Sequence, residues 1–233
     1  MTISIGLDMD LEQNRFNMVE QQIRPWDVLD QEVLKLLFEL RREEFVPAAY
    51  RSLAFVDMEI PLGHGEVMLA PKLEARILQE LQVKKTDRIL EVGSGSGYLS
   101  ALLARKGECV FSVEIVPELK AMAEKNLQTH GIGNITVEQG DAARGWPAHG
   151  PYDVIVLTGS TPVLPEAFQK SLKTGGRLFA VVGDAPAMQA VLVTCVAQEE
   201  KAEEKAGAYN TVGLFETCIS PLKNAEQPAR FIF

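Results

Sequence analysis

From residue 71 onward, short apolar segments alternate with segments whose apolar residues recur at helical spacing. Five apolar segments that predict strands are residues 88–92, 109–114, 135–139, 152–158 and 176–183. Near-continuous apolar strands separated by helices are typical of a parallel sheet covered on both faces. Two further apolar segments, 189–198 and 209–218, flank the acidic stretch 198–208 and predict an antiparallel pair around a solvated loop. The pattern therefore predicts an α/β fold.

Helical spacing predicts helices between these strands and before them. Pro71 opens a segment whose apolar residues fall on one face, and proline suits the first turn of a helix. A second helix is predicted over 98–106, a third from Pro117 to Gly131 and a fourth over 165–172. The region 11–60 differs, because helical patterns alternate there with turn signals. Within it, Asp30 is a candidate N-cap of a helix.

Composition narrows the class of protein. The 233 residues are 46% hydrophobic and 24% charged, which excludes a disordered or fibrous chain. The net charge of −9 disfavours binding to nucleic acid or to an anionic membrane. The first residues lack a basic segment, and no apolar run approaches ~18 residues, so we expect a cytoplasmic protein with no membrane span. We expect it to be a monomer or a weak homodimer. Three widely spaced cysteines and three histidines predict no metal site.

A glycine-rich loop follows the first of these strands. Glycines at Gly93, Gly95 and Gly97 allow a tight turn and a close approach of a ligand to the backbone. The dinucleotide fingerprint places its third glycine where this chain has Tyr98. Glu91, at the strand end, would repel a pyrophosphate and suits a ligand with an amino or sulfonium group. Both features disfavour a nicotinamide dehydrogenase.

Two more carboxylates follow the next two strands. Glu114 ends the second strand, where a carboxylate can accept from both hydroxyls of a ribose. Asp141 follows the third strand, where a carboxylate can accept from the exocyclic amino group of adenine. Either acid alone could be a solvated strand end, but the ordered set with Glu91 describes S-adenosylmethionine. The expected product is S-adenosyl-L-homocysteine.

The same motifs carry a family resemblance. The loop EVGSGSGYL, the upstream FVPAAY and the segment YDVIVLT resemble those of protein-L-isoaspartate O-methyltransferases, which are class I S-adenosylmethionine-dependent methyltransferases. The resemblance covers roughly residues 18–222. It implies a three-layer, seven-stranded, Rossmann-like sheet with an N-terminal helical extension. We expect a single domain, 1–233, with a helical layer and substrate segment to residue 85, a cofactor-binding sheet over 86–222 and a C-terminal tail over 223–233.

The resemblance also implies site residues and an acceptor. The implied acceptor is a protein or peptide with an isoaspartyl residue. No metal ion is expected in the site. Residues expected to bind the cofactor are Glu91, Gly93, Ser94, Gly95, Gly97, Glu114, Ile115, Asp141, Ala142 and Thr158. Residues expected near the substrate are His64, Val67, Met68 and Leu69.

One segment departs from the family pattern. Members carry T-I-S-x-P where this chain has Val67-Met68-Leu69-Ala70-Pro71, so both hydroxyls are missing. An ionised carboxylate needs no general base to attack an activated methyl group, so catalysis depends mostly on positioning. Loss of an orienting hydrogen bond then predicts a rate loss of roughly 10–100-fold or a changed acceptor. Leu69, which stands at the family's Ser position, either lines a less polar pocket or packs beneath the loop.

Three other candidates stay open. His64, between two glycines, either orients substrate or is simply exposed. Thr158, after the fourth strand, either faces the reacting methyl group as a catalytic residue or belongs to a group of hydroxyls that caps the helix near Pro165. The apolar tail 229–233 docks on its own domain or on a second copy of the chain.

The sequence is compatible with three functions. The first is methylation of isoaspartyl carboxylates in damaged proteins. The second is methylation of another small acceptor, because the substrate hydroxyls are absent. The third is a binding module that retains the cofactor site without catalysis.

Overall fold

The computed structural model describes residues 2–198 and 207–228. Contacts along the chain divide it into two compact units, Met1–Gln79 and Glu80–Phe233. Within the described ranges, no helix is both long and apolar enough to cross a membrane. The same ranges contain no group of three acidic, histidine or cysteine side chains placed to hold a metal ion.

The N-terminal unit begins with helices. Helix α1, Thr2–Met18, continues into a π-helical turn, Val19–Ile23. Helix α2, Gln31–Glu39, buries the apolar residues Val33, Leu34, Leu36 and Leu37. The predicted N-cap is confirmed, because Asp30 Oδ1 accepts from the N–H groups of Glu32 at 2.8 Å and Val33 at 3.3 Å. These bonds satisfy two N–H groups that the first turn of a helix leaves without partners.

A small hairpin follows, which the sequence analysis did not predict. Strands β1, Ile60–Gly63, and β2, Glu66–Met68, pair antiparallel. The turn between them has positive φ at Gly63, His64 and Gly65. Helix α3, Pro71–Leu81, begins at the predicted proline.

The second unit contains a seven-stranded sheet. Helices α4, α5 and α6 are Tyr98–Lys106, Pro117–Thr129 and Glu166–Lys170. The strands are β3 Arg88–Val92, β4 Cys109–Glu114, β5 Ile135–Gln139, β6 Tyr152–Thr161, β7 Leu172–Asp184, β8 Ala187–Gln198 and β9 Gly207–Thr217. Their order is β5-β4-β3-β6-β7-β8-β9, with the first five parallel and the last two antiparallel to their neighbours. The predicted α/β class and seven-stranded Rossmann-like sheet are confirmed.

Three element ends differ from the sequence prediction. Strand β6 continues three residues past the predicted end at Thr158, because Ser160 and Thr161 still pair with β7. Strand β7 begins at Leu172, which the pattern had placed in the preceding helix. Leu172 is fully buried and lies opposite Tyr152, so burial in the core outweighs helical spacing there. Residues 199–206 of the predicted acidic loop, and the tail 229–233, lie outside the described residues.

The core of this unit packs on the strands that carry the site. Side chains from β3, β6, β7 and β8 form one buried cluster with Phe168 of α6. Burial of each large apolar side chain contributes roughly 1.5–3 kcal/mol. Strands β3 and β6 lie side by side and parallel, whereas β4 and β5 follow on the far side of β3, so the strand order changes direction between β3 and β6. Ligands of such sheets bind at the carboxyl ends of the strands beside this point.

Candidate cofactor site

The glycine loop joins β3 to α4 at this point. Gly93, Gly95 and Gly97 have φ values of 98°, 51° and 82°, a region that side chains rarely adopt. A Cβ on Gly93 would lie 2.2 Å from Thr158 Oγ1, and one on Gly97 would lie 3.1 Å from the backbone of Ala123. The predicted need for glycine therefore has two causes here, the turn itself and close packing against β6 and α5.

Glu91 lies inside the unit. None of its surface is exposed, and its Oε2 accepts from the hydroxyls of Ser100 in α4 and Ser112 in β4. Ser94 of the loop, also buried, lies 2.7 Å from Ser112 through their hydroxyls. We expected Glu91 to face a cationic ligand directly. Glu91 is instead buried away from the surface, and it holds the loop in place through the hydroxyls of Ser112 and Ser94.

Glu114 joins the loop to the end of β4. Its Oε2 accepts from Gly95 N–H at 2.9 Å, and its Oε1 accepts from Val116 N–H at 3.0 Å. An ionised carboxylate offers about four lone pairs, so two bonds leave acceptor capacity on both oxygens. Ile115, half-buried, follows directly. Glu114, for which a ribose contact is predicted, therefore lies beside the glycine loop and is held by backbone groups.

Asp141 lies just after β5. Its Oδ1 accepts from Ala143 N–H at 3.0 Å, and its Oδ2 accepts from the side-chain amide of Asn224 at 2.9 Å. Ala142 is buried and belongs to the core cluster. Asn224 was missed by sequence reasoning, because it lies in the predicted C-terminal tail, 223–233.

The turn before Asp141 is backed by an aromatic ring. A Cβ on Gly140 would lie 2.5 Å from the ring of Trp146, so glycine is needed for this packing. Trp146 Nε1 donates to Glu138 Oε2 at 2.8 Å, and His149 lies 2.8 Å from the other oxygen of Glu138. The hydrogen bond from His149 is the main cause that lowers the pKa of Glu138. This cluster supports the loop from β5 and was not predicted.

Thr158 connects β6 to the glycine loop. Its hydroxyl lies 2.8 Å from the carbonyl oxygen of Val92 and 3.0 Å from that of Gly93, and it donates to them. The capping hypothesis is wrong, because α6 begins after Pro165 with no side-chain cap. The hydroxyl proton is directed at backbone carbonyls, so the structure gives Thr158 a role in holding the loop. It does not support the predicted catalytic contact.

The residues predicted near the substrate lie in the N-terminal unit. His64 is exposed at the hairpin turn, and Val67 is half-buried in β2. Met68 and Leu69 are buried, with 4% and 6% of their surfaces exposed. Burial of Leu69 favours packing beneath the loop over the alternative in which it lines an acceptor pocket.

A buried ion pair holds this segment. Arg42 donates to Glu74, to Leu69 O at 2.7 Å and to Ala54 O at 2.9 Å. Arg42 and Glu74 are 1% and 2% exposed. Sequence reasoning missed both. The available signal was Glu74 itself, because it shares a helical face with Ile77, Leu78 and Leu81, where a charge needs a partner.

Comparison with known proteins adds three findings. The family model "Protein-L-isoaspartate(D-aspartate) O-methyltransferase" matches residues 13–212. The chain is 36% identical to Protein-L-isoaspartate O-methyltransferase 1 of Rhodopseudomonas palustris over 92% of this chain and 90% of that protein. It is 36% identical to Protein-L-isoaspartate O-methyltransferase of Methanoculleus marisnigri, over 89% of this chain and 90% of that protein.

Solved structures show the same fold. A protein-L-isoaspartate O-methyltransferase superposes with a TM-score of 0.68 at 27% identity, over 91% of this chain and 65% of that one. A putative enzyme of this name from Plasmodium falciparum, solved in complex with S-adenosyl-L-homocysteine, superposes with a TM-score of 0.72 at 19% identity, over 91% and 97%.

Proposed function

Because the chain belongs to the protein-L-isoaspartate(D-aspartate) O-methyltransferase family, we propose that it methylates the α-carboxylate of isoaspartyl residues in proteins. It is an S-adenosylmethionine-dependent methyltransferase of the class I fold. The observation that carries the proposal is the position of Glu114, whose carboxylate is bonded to the glycine loop through Gly95 N–H. This contact joins the glycine loop to a carboxylate that can accept from ribose hydroxyls, and a nucleoside-bearing cofactor requires both features.

The residues present fit that cofactor. Positive φ values favour glycine at Gly93, Gly95 and Gly97, so the loop has no side chains at these positions. Glu114 keeps acceptor capacity for two vicinal hydroxyls, and Asp141 keeps it for an amino group. The hydrogen bonds described for Glu91, Glu114 and Asp141 come from neutral donors. A neutral donor orients a carboxylate without cancelling its charge, and at Glu114, which lies beside the loop, and at Asp141 this suits a cationic ligand.

The chemistry requires little from the protein beyond position. When bound, S-adenosylmethionine supplies a methyl group that its sulfonium already makes electrophilic. The acceptor carboxylate is ionised near neutral pH, so its oxygen attacks without a general base. The chain's own residues therefore bind, orient and exclude water, and the hydroxyl of Thr158 and the carboxylate of Glu114 fix the loop on which this depends.

The test is transfer of labelled methyl groups to a pair of synthetic peptides. One peptide contains isoaspartate at a single position, and the other has the same sequence with aspartate. We expect base-labile label in the isoaspartyl peptide only, because the product is a methyl ester. No label in either peptide, from protein that binds S-adenosylhomocysteine, would refute the proposed acceptor while leaving the cofactor site intact.

A second candidate function is transfer to a different acceptor. It is favoured by Val67 and Leu69, which stand where the family has hydroxyl residues. Leu69→Ser would restore one hydroxyl, and Leu69→Ala is the matched variant that shortens the side chain without adding one. A gain of about tenfold in kcat/KM for the isoaspartyl peptide with Ser, and none with Ala, would show that the missing hydroxyl limits this reaction. Equal rates for both variants would make the departure irrelevant.

A further inference from the structure

The segment after β9 runs along the edge of the sheet that carries the candidate site. Ser160 N–H donates to Ser220 O at 2.9 Å, and Leu222 N–H donates to Ser160 O at 2.9 Å. Ser160 Oγ also donates to Ile219 O at 3.2 Å. Five residues after Ile219, Asn224 reaches Asp141 beyond β5. In the sheet order, β3 and β4 lie between these two attachment points. We name residues 219–225 the C-terminal strap.

The strap is anchored by packing as well as by hydrogen bonds. A Cβ on Gly159 would lie 2.9 Å from both the backbone nitrogen and the side chain of Leu222, so the two segments are in close contact. Leu222 also packs against the buried cluster of the sheet. The strap therefore has a defined position beside the site, and Asn224 is presented from a fixed backbone.

Asn224 adopts a backbone conformation suited to few residues. Its φ is 61°, in the left-handed region that asparagine and glycine tolerate best. The conformation directs its amide to Asp141 Oδ2, while Ala143 N–H holds Oδ1. Asp141 is exposed, so packing does not fix its rotamer, and these two bonds set the plane of the carboxylate. An amide does this without cancelling the charge, as a lysine or arginine would.

We infer that Asn224 is a positioning residue that directs the Asp141 carboxylate to the exocyclic amino group of adenine. The strap thereby makes the site prefer adenine over a purine without that group. The inference rests on the proposed cofactor function, since it concerns how the same site recognises its nucleoside.

The test compares two ligands on two variants by isothermal titration. The ligands are S-adenosylhomocysteine and its analogue with hydrogen in place of the adenine amino group. Asn224→Gly removes the amide and keeps the backbone conformation, whereas Asn224→Ala would add strain at a positive φ. Glu226→Gln, an exposed change two residues further along, is the matched control. Thermal unfolding of each variant checks that the fold is retained.

The wild-type protein and Glu226→Gln should bind S-adenosylhomocysteine more tightly than the analogue. Asn224→Gly should lose about fivefold to tenfold in affinity for S-adenosylhomocysteine, because the hydrogen bond from the adenine amino group to the Asp141 carboxylate is weakened. It should lose little affinity for the analogue, which has no amino group to make that bond. An equal loss for both ligands, or no loss, would overturn the inference. A wild-type protein that binds neither ligand would instead refute the proposed cofactor site.

Discussion

Two buried carboxylates near the glycine loop and two in the N-terminal unit are held in opposite ways. In the sheet unit, Glu91 and Glu114 accept from serine hydroxyls and backbone N–H groups. In the N-terminal unit, Glu43 and Glu74 pair with the guanidinium groups of Arg15 and Arg42. Neutral donors orient a carboxylate and keep its charge, whereas an arginine largely neutralises it. The difference separates Glu114, which lies beside the glycine loop and can serve a cationic ligand, from Glu43 and Glu74, which are paired with arginines.

The N-terminal pairs act on backbone position. Arg42 connects three separate segments through Ala54 O, Leu69 O and Glu74. Burial raises the pKa of Glu74 to about 7, although the guanidinium of Arg42 opposes the shift. The pair is therefore a structural feature whose charge state changes near neutral pH. Glu91 and Glu114 differ in their donors from Asp87, a buried carboxylate of the sheet unit that pairs with Arg177 before β3 begins.

The largest expected effect comes from breaking the buried pair. Arg42→Met should lower the free energy of unfolding by about 3 kcal/mol, because it leaves Glu74 buried without its guanidinium. Denaturant titration measures this. The double variant Arg42→Met with Glu74→Leu should recover a large part of the loss. If the double variant is no more stable than the single one, the cost arises from lost packing or lost carbonyl contacts, and the charge comparison fails.

The next effect concerns the sheet unit. Glu114→Gln should weaken binding of S-adenosylhomocysteine about 100-fold, because one acceptor oxygen becomes a donor facing hydroxyls and backbone N–H groups. Isothermal titration measures the affinity, and thermal unfolding serves as the control for folding. An affinity within about threefold of wild type would show that Glu114 only shapes the loop.

The stability of the N-terminal unit should depend on pH through Glu74. Glu74 has a folded-state pKa above its ordinary value of 4.5, so protonation favours the folded state. This contribution to stability is fully present below the ordinary value and is lost as the pH rises through about 7. Wild type should therefore gain about 1 kcal/mol relative to Glu74→Gln between about pH 8 and about pH 6. A difference between the two proteins that is constant with pH would contradict the assignment.

The smallest effect tests the contact between β6 and the glycine loop. Thr158→Val removes the hydroxyl that donates to Val92 O and Gly93 O and keeps the shape of the side chain. It should cost about 1 kcal/mol in unfolding free energy and reduce cofactor affinity a few-fold. Thr158→Ser keeps the hydroxyl and is the control. A complete loss of methyl transfer with unchanged cofactor affinity would instead restore the catalytic hypothesis for Thr158.

The features that could be predicted from the sequence are those that depend on local patterns of residues. Strands 88–92, 109–114 and 135–139 match their predicted bounds, because each is a buried parallel strand with near-continuous apolar residues. The strand-end acids follow from that pattern, since the carboxyl ends of parallel strands meet at one edge. Local spacing therefore sufficed for the positions of Glu114 and Asp141.

Partners that lie far apart in sequence could not be predicted in this way. Asn224 and Asp141 are 83 residues apart, and Arg42 and Glu74 are 32 apart. No local period connects such residues, so only the folded chain brings them together. The loop contacts of Thr158 were missed for the same reason, because the carbonyls that its hydroxyl contacts are 66 and 65 residues away. Glu91 was misjudged because the serines that bury it lie on two other elements.

A crystal structure with S-adenosylhomocysteine bound tests the central claim most directly. We predict that the Glu114 carboxylate accepts from both ribose hydroxyls and that Asp141, still bonded to Asn224, accepts from the adenine amino group. Glu91 should remain buried on Ser100 and Ser112. A ligand whose ribose is held by other groups, or an Asp141 that turns away from the adenine, would contradict it.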